Sequence, residues 1–417
     1  MGNASSMSAS CFHFSSHQRK PGGERPRVPV RTHWFLRVLV FLVLPLTPSR
    51  GVSLDPQNER TESASHAKPS QLSEREQAGL RGPVKAYVEE TPYPPQPLSN
   101  GKETPEMKRW EKTEYDVDGH VIAKRFRNPD GSEWVTRFIY SPAGMLLKVT
   151  SGKDPEPGTE TNYRYDKEGR LESITYGKRP DNPVTFRYDE NGRKTKVQIS
   201  RPDDYQPNVS SAGVGFEGAD RAPNRPGGGS ATTIYDADDR PVEVAVRDLQ
   251  GELLSRTVRI YDNRGNIVEE KQTMDDVTKM IPAETQNKML AGSGVSLNDL
   301  RNQLAKFLGG QGELWSVAYT YDAQGRVAQT TRRILNHSED KIESTYNDHG
   351  DVALEITHST FTVGEEGKAP ETRDSEAHYS YQYDDHGNWT EKNVSHRSSP
   401  DGALTSSNET TRMLDYF

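Results

Sequence analysis

Cysteine is almost absent from this sequence of 417 residues, which contains a single one, Cys11. Cys11 lies ahead of the apolar stretch 34–46, which follows a basic segment and precedes small residues near position 51. This pattern is typical of a secretory signal peptide, and we assign residues 1–53 to it, with a long basic n-region. An uncleaved membrane anchor is the other interpretation. Once the signal peptide is removed, the chain has no thiol for a disulfide, a thiolate metal site or a cysteine nucleophile.

Hydrophobic residues are also scarce. They make up 31% of the chain, and the mean hydropathy is -0.90. This composition favours a thin core, such as a sheet with one buried face, over a compact enzyme. Residues 54–79 are polar without apolar periodicity, which predicts a flexible linker ahead of a main domain at 80–417.

Basic residues do not balance the acidic ones after the signal segment. The whole chain carries -8 and residues 1–53 carry +6 (seven Lys or Arg, one Glu), so the rest carries -14. An acidic mature chain argues against nucleic acid or an anionic membrane as a partner. Membrane contact is expected only through the signal segment, if that segment stays uncleaved.

Catalytic motifs are absent too. The sequence has no HExxH zinc motif, no GxSxG elbow, no phosphate loop and no GxGxxG after a strand. The stretches DVDG at 116–119 and DADD at 236–239 resemble parts of calcium loops but lack the full ligand spacing. We therefore predict no enzyme activity, no catalytic residue, no cofactor and no metal site. A convergent pair of carboxylates for glycoside hydrolysis stays open as an alternative, since no pair is singled out.

The sequence is rich in one short motif, Tyr-Asp-x-x-Gly-Arg, whose copies recur at about 25 residues or longer intervals. The motif tyrosines are Tyr115, Tyr140, Tyr165, Tyr188, Tyr235, Tyr261, Tyr321, Tyr346 and Tyr383. A glycine follows four residues later in all copies but one: Gly119, Gly144, Gly169, Gly192, Gly265, Gly325, Gly350 and Gly387. The exception has Asp239 at this position. The fold expected from these repeats is all-β: serial antiparallel hairpins that form a long, twisted, partly rolled open sheet.

Each residue type in the motif suits a tight hairpin. An aspartate after the tyrosine accepts a hydrogen bond from the turn backbone, and glycine adopts positive φ without steric cost. The aspartates of the motif include Asp166, Asp189, Asp236, Asp262, Asp322 and Asp384. This register predicts ion pairs across the turn from four of them to Arg170, Arg193, Arg240 and Arg326. It also pairs each tyrosine with the residue six positions on. Asp239, which stands in place of the glycine, predicts a strained turn. We interpret the motif as structural.

Two insertions interrupt the repeat. Residues 201–230 are rich in Gly, Pro, Ser and Asp, which predicts a mobile loop. Residues 274–312 contain the one helical pattern, with Ser296 as N-cap and Asp299 three residues later. This insertion is either a docking hairpin or a helical pair that covers part of the sheet.

At YDKEGRL (165–171) and YDAQGRV (321–327) the sequence resembles the YD-repeat, or RHS-repeat, family, and the resemblance extends over residues 83–417. It implies a short bacterial secreted member with a long antiparallel sheet that coils into a spiral or shell. Large members enclose a toxin domain, and others act at cell surfaces or bind carbohydrate. The chain has no DPxG processing motif ahead of a toxin domain.

Four tryptophans lie in or beside predicted strands: Trp110, Trp134, Trp315 and Trp389. Flat aromatic side chains suit stacking on sugar rings, although they equally suit the buried face of a sheet. The resulting expectation is an exported, non-enzymatic module of the periplasm, cell envelope or extracellular space, with a carbohydrate or an envelope protein as partner. A carbohydrate-active hydrolase and a toxin-delivery shell are the alternatives. The edges of an open sheet also predict self-association.

Overall fold

The computed structural model describes residues 72–93, 107–128, 130–156, 158–177, 179–200, 228–274, 312–335, 337–361, 369–398 and 402–417, with a few residues between 276 and 302. The predicted signal peptide 1–53 and most of the predicted loop 201–230 lie outside these residues. Within the described part, no helix has the length and apolar character needed to traverse a bilayer.

The described chain contains twenty strands, one short helix ahead of them and some helical positions between β13 and β14. Helix α1 spans Glu74–Gln77 and lies in the last part of the predicted linker 54–79. The strands are β1 (Val84–Tyr93), β2 (Met107–Tyr115), β3 (Val121–Arg127), β4 (Glu133–Tyr140), β5 (Leu146–Lys153), β6 (Thr159–Tyr165), β7 (Leu171–Tyr176), β8 (Arg179–Tyr188), β9 (Lys194–Ser200), β10 (Gly228–Tyr235), β11 (Pro241–Arg247), β12 (Leu253–Tyr261), β13 (Ile267–Thr273), β14 (Glu313–Tyr321), β15 (Val327–Ile334), β16 (Ser338–Tyr346), β17 (Val352–Phe361), β18 (Glu371–Tyr383), β19 (Trp389–Arg397) and β20 (Thr405–Tyr416).

The strands form one closed antiparallel barrel. Each strand pairs with the next one along the chain, and β20 pairs with β1, so the twenty strands make a complete ring. The prediction of an all-β antiparallel fold is confirmed, but the prediction of an open sheet is wrong. Closure pairs the backbone groups that an open sheet leaves at its two edges. The described strands therefore have no free edge, and the reason for expecting edge-mediated self-association falls away.

The two faces of some strands differ clearly in burial, and strand β8 serves to name an inner and an outer wall. On β8, Val184 and Phe186 are 3% and 7% exposed, whereas Thr185 and Arg187, which alternate with them, are exposed. The motif tyrosines share the face of Val184 and Phe186, because side chains alternate along a strand. We call this face the inner wall and the opposite face the outer wall. The buried apolar clusters are small, as the scarcity of hydrophobic residues predicts.

All nine motif turns lie at one end of the barrel, here called the motif rim. Each of them joins an even-numbered strand to the next odd-numbered strand, and antiparallel order places all such turns at the same end. The opposite end has turns of similar chemistry that the repeat pattern does not reveal. One example is at Asp248, where the N–H of Gly251 donates to the Asp248 carbonyl oxygen at 3.1 Å and Gly251 has φ +85°.

The few described residues of the insertion 274–312 include helical positions 297–299, 301 and 302. Ser296 caps them as predicted: the Asp299 N–H donates to Ser296 Oγ at 3.1 Å, and the Ser296 N–H donates to Asp299 Oδ2 at 3.1 Å. The interpretation of the insertion as a docking hairpin or a cover falls outside the described residues.

Candidate functional site

The motif turns have the predicted hydrogen bonds. In the first complete copy, Asp166 Oδ1 accepts from the N–H groups of Glu168 and Arg170 at 3.0 and 2.8 Å. Arg170 Nε donates to Asp166 Oδ2 at 2.8 Å. The three other predicted pairs, Asp189 with Arg193, Asp236 with Arg240 and Asp322 with Arg326, form at 2.7–2.8 Å. Tyr165 pairs with Leu171, as the register predicts.

Neighbouring hairpins are tied together by the same residues. The Tyr188 hydroxyl donates to the Leu171 carbonyl oxygen at 2.9 Å, and Arg170 Cζ lies 5.0 Å from the centroid of the Tyr188 ring. Equivalent hydroxyl bonds to the preceding hairpin come from Tyr140, Tyr165, Tyr235, Tyr261, Tyr321 and Tyr346. These contacts occupy the polar groups of the motif, so the motif is a structural ladder around the rim.

The copy without glycine has the strain that the sequence predicts. Asp239 has φ +62°, in the left-handed region that costs a side chain about 1–2 kcal/mol. Its turn bond, from the Asp239 N–H to the Asp236 carbonyl oxygen, is 3.2 Å long, against 3.0 Å at Gly169 and Gly192. The Asp239 carboxylate also accepts from Arg193 Nη1 of the preceding hairpin at 2.7 Å, which offsets part of this cost.

The four candidate tryptophans do not form one surface. Trp110 lies on the outer wall under the Arg127 guanidinium, whose Cζ is 4.3 Å from the ring centroid. Trp134 and Trp315 lie on the inner wall, and their indole N–H groups donate to Ser151 Oγ at 2.7 Å and Gln272 Oε1 at 2.9 Å. Trp389 is also on the inner wall, at the start of β19. Sugar stacking on these side chains stays a prediction from the sequence.

One group of possible metal ligands lies on the motif rim. Ligand atoms of Asp116, Asp118 and His120 lie within 4.8 Å of one another. Asp116 is already used by its turn, because its carboxylate accepts the N–H of His120 at 2.9 Å and lies 3.0 Å from His120 Nδ1. Burial raises the pKa of the Asp116 carboxyl, but its hydrogen bonds with His120 outweigh this and lower the pKa below its usual value.

The inner wall carries a polar cluster where β20 meets β1, a junction here called the seam. Arg412 of β20 donates to Glu89 Oε1 of β1 from Nη2 at 2.6 Å and from Nε at 3.0 Å. The Arg412 guanidinium carbon is 3.5 Å from the centroid of the Trp389 ring and 4.9 Å from that of Tyr87. The Arg412 side chain is only 11% exposed. Arg412 therefore joins three strands across the seam.

Lys392 lies beside this cluster and, unlike Arg412, has no carboxylate partner within the described part of the chain. It pairs with Thr410 of β20 and Tyr381 of β18, and its Nζ lies 5.2 Å from the centroid of the Tyr379 ring. Among the described residues no hydrogen-bond acceptor and no carboxylate oxygen lies within bonding distance of Nζ. Burial lowers the pKa of the Lys392 ammonium, against an opposing effect of Glu89 and Glu355.

The carboxylates nearest to Lys392 have other partners. Glu355 accepts from the Tyr379 hydroxyl at 2.5 Å, and Glu89 is paired with Arg412. Burial, followed by the hydrogen bond to Glu355, raises the pKa of Tyr379 above its ordinary value. The ammonium of Lys392 thus has an aromatic ring beside it but no hydrogen-bond acceptor among the described residues. We call Lys392, Tyr379, Glu355, Glu89 and Arg412 the seam cluster.

The seam cluster joins residues that are far apart in the sequence, and no sequence pattern predicts it. Glu89 and Arg412 are 323 positions apart, and only closure of the barrel brings them together. The stretch YSYQY at 379–383 contains the one local signal, because tyrosines at every second position point to one face of a strand.

Comparisons with known proteins give no family. No family model matches the chain, and no curated protein matches it. Among solved structures, a porin-like protein from Bacteroides uniformis ATCC 8492 matches with 9% identity and a TM-score of 0.30, over 80% of this chain and 99% of that one. A porin-like protein from Bacteroides vulgatus ATCC 8482 matches with 12% identity and a TM-score of 0.23, over 62% of this chain and 94% of that one. Likenesses this weak do not establish a common fold.

These results correct two predictions. The chain is not shown to be a YD-repeat protein: no family model matches, and the strands close into a ring instead of the expected open sheet. Assignment to that family was wrong, because a hairpin turn motif constrains the turn and not how the hairpins assemble. The function derived from it, a YD-repeat structural or carbohydrate-binding module with a hydrolase or toxin shell as alternatives, is withdrawn as well. Location in the cell envelope stays a prediction from the signal segment.

Proposed function

We propose that the protein is a non-enzymatic, water-facing barrel that holds a small carboxylate-bearing solute on its inner wall, at Lys392. The observation that carries the proposal is the half-buried Lys392 ammonium, which has no close acceptor among the described residues. A charge-assisted hydrogen bond contributes about 1.5–3 kcal/mol, and a solute carboxylate would supply it.

The charges of the seam cluster argue against a polyanion. Lys392 and Arg412 are offset by Glu89 and Glu355, so the cluster has no surplus positive charge with which to attract a polyanion. The carboxylates are held away from Lys392 by Tyr379 and Arg412. Aromatic rings of Tyr379 and Trp389 flank the ammonium and the guanidinium, which suits a solute with an apolar or aromatic body.

The outer wall favours contact with water over contact with lipid. Arg125 donates to Glu114 at 3.1 Å, and Lys341 donates to Glu343 at 2.6 Å. Similar pairs occur on strands β2–β7, β11–β13 and β15–β19. A single Arg or Lys on the lipid face of a barrel costs about 2–4 kcal/mol at the bilayer midplane. Charged pairs on so many strands of the outer wall therefore disfavour a channel in a bilayer.

The predicted signal peptide at 1–53 supports export, which would place the barrel in the aqueous part of the cell envelope. The acidic character of residues 54–417 gives no reason to expect nucleic acid as a partner. The absence of enzyme activity, as predicted from the sequence, is part of the proposal.

Calorimetric titration of the full chain with benzoate tests the ligand site. We expect binding to the unmodified protein and at least tenfold weaker binding to Lys392→Gln, which removes the charge but keeps an unbranched side chain that ends in a polar group. Lys112→Gln is the matched control, because Lys112 pairs with Glu114 at 2.8 Å on the outer wall. Equal affinity of the unmodified protein and Lys392→Gln, or no binding at all, would overturn the assignment of the site.

A second measurement tests the surroundings of the barrel. The full chain is added to planar bilayers and to liposomes, and we expect neither stepwise conductance nor co-flotation. Channel steps would contradict a water-facing barrel and support a role like the one that the names of the two porin-like structures suggest.

A further inference from the structure

The geometry points to a gate at the seam. Residues 72–83, here called the clasp, undock from the motif rim, and strands β1 and β20 then separate from each other. Such a gate controls access to the inner wall, whichever solute the wall holds. The position of the clasp, its contacts and the connectivity of the ring support the gate.

The seam is the one junction of the described ring whose two strands are not consecutive in the chain. Every other pair of neighbouring strands is joined directly by its connecting segment. Separation at any other junction leaves the two strands tethered to each other, whereas separation at the seam breaks no such connection. The motif rim also has no hairpin turn here, since β20 and β1 are the last and first strands.

The clasp takes the place of that missing turn. At one end it joins the turn between β2 and β3: the Arg75 N–H donates to the Gly119 carbonyl oxygen at 3.0 Å, and Glu74 Oε2 accepts the Val121 N–H at 2.6 Å. Contact is close, because a Cβ on Gly119 would lie 2.7 Å from Ser73 Oγ.

At its other end the clasp joins the turns on the far side of the seam. The Arg81 N–H donates to Asn388 Oδ1 at 2.7 Å, and Asn388 Nδ2 donates back to the Arg81 carbonyl oxygen at 2.8 Å. Arg81 Nη2 donates to the His349 carbonyl oxygen at 2.9 Å. Leu80 is 3% exposed and packs with Val84 of β1. The clasp therefore bridges both neighbours of the seam.

The clasp has little stability of its own. Helix α1 has four residues, far fewer than an isolated helix needs, and Gly79 and Gly82 both have positive φ. Its order depends on docking, and segments of this kind open at lower free energy than the body of a fold. When the clasp undocks, the seam loses its cover on the rim and keeps only the β1–β20 ladder and the side-chain pairs across it.

Opening at the seam would expose the inner wall near Lys392. Lys392 pairs with Thr410 of β20, and Thr410 Oγ1 lies 3.0 Å from Thr91 Oγ1 of β1. Lys392, Thr410 and Thr91 therefore form a row across the seam on the inner wall.

Hydrogen exchange measured by mass spectrometry on the full chain tests the gate. We expect amides of β1 and β20 to exchange at least tenfold faster than those of β4 and β5, which are joined by a motif hairpin. Arg81→Ala, which removes the contact with His349 and leaves the backbone bonds of the clasp, should speed exchange at β1 and β20 by a further threefold or more and leave β4 and β5 unchanged.

A disulfide lock gives the opposite perturbation. In a Cys11→Ser background, which removes the single native cysteine, Thr91→Cys with Thr410→Cys should close the seam covalently. Thr136→Cys with Ser151→Cys is the matched control between β4 and β5, since those two hydroxyl oxygens lie 2.9 Å apart. Slower exchange at β1 and β20 in the seam lock alone is expected. Equal rates at the seam and at β4–β5 in the unmodified protein, or no response to Arg81→Ala, would overturn the gate.

Discussion

Arg412 is expected to be a major contributor to stability at the seam, and its replacement by methionine tests this. The side chain is 11% exposed, and its partner Glu89 is 27% exposed. Removing one member of a fully buried ion pair costs about 3–5 kcal/mol, and the partial exposure of Glu89 places this pair near the lower end. Loss of the stacking on Trp389 and Tyr87 adds about 1 kcal/mol. We expect Arg412→Met to lower the free energy of unfolding by about 3–4 kcal/mol.

The prediction for Arg412 depends on the burial of its ion pair, and an exposed ion pair elsewhere in the chain is the matched control. Arg333 and Glu339 on the outer wall are also 2.6 Å apart, but their side chains are 55% and 44% exposed. Exposed pairs contribute about 0–1 kcal/mol, so Arg333→Met should have a small effect. The double variant Glu89→Gln/Arg412→Met should recover about 1–2 kcal/mol relative to Arg412→Met, because no unpaired charge then remains.

Urea unfolding of the full chain, followed by tryptophan fluorescence, measures these differences at constant m-value. If Arg412→Met and Arg333→Met shift the midpoint equally, the seam pair is no more important than a surface pair. The reasoning would then be refuted, since both pairs have the same separation and differ mainly in burial and stacking.

Three further predictions concern the rim. Gly325→Ala should cost about 1–2 kcal/mol from its positive φ of 85° alone, since a Cβ there meets open space. Gly119→Ala, with a similar φ of 88°, should cost at least about 1 kcal/mol more, because its Cβ must displace Ser73 of the clasp. Equal losses of unfolding free energy for the two glycine variants in urea would show that the contact of Gly119 with Ser73 is unimportant. Asp239→Gly should change the free energy of unfolding by less than about 1 kcal/mol, because relief of left-handed strain is offset by the entropy of glycine and the lost pair with Arg193; a larger gain would mean that this pair contributes nothing. In acid, the barrel should lose stability as the pH falls below about 4. Burial raises the pKa values of the turn aspartates, but their hydrogen bonds outweigh burial and hold these pKa values below those of the unfolded chain. The ionised aspartates therefore stabilise the fold above that pH, and this stabilisation is lost below it. Thermal melting between pH 2 and 6 checks this, and a melting temperature that stays constant over that range contradicts it.

Local structure was predictable wherever the relevant interactions lie within a few residues. The pairing of Tyr165 with Leu171, the ion pair of Asp166 with Arg170 and the strain at Asp239 were all inferred from the sequence. Each of them depends on backbone preferences inside one tight turn, and turns of this kind have few alternative conformations. The N-cap of Ser296 was predictable for the same reason.

The candidate site was not predictable, because its members are distant in sequence. No periodicity links Glu89 to Arg412, and nothing around Lys392 in the sequence indicates a buried ammonium. The sequence singled out tryptophans as candidates for a binding site, but they lie on both walls of the barrel. Two of their indole N–H groups donate hydrogen bonds to protein acceptors. Family resemblance misled for a related reason: it rested on turn residues, whose chemistry any antiparallel hairpin can use.

The amino-acid sequence by itself determined the hairpins of this protein, their turns and the cross-strand pairs within each turn, because these depend on φ preferences and on side chains a few positions apart. Only the tertiary structure decided that the hairpins close into a ring. Closure depends on the accumulated twist of twenty strands and on a match between β1 and β20 at opposite ends of the sheet. The seam cluster and the clasp exist only as consequences of that closure, and for this reason no local pattern in the sequence contains them.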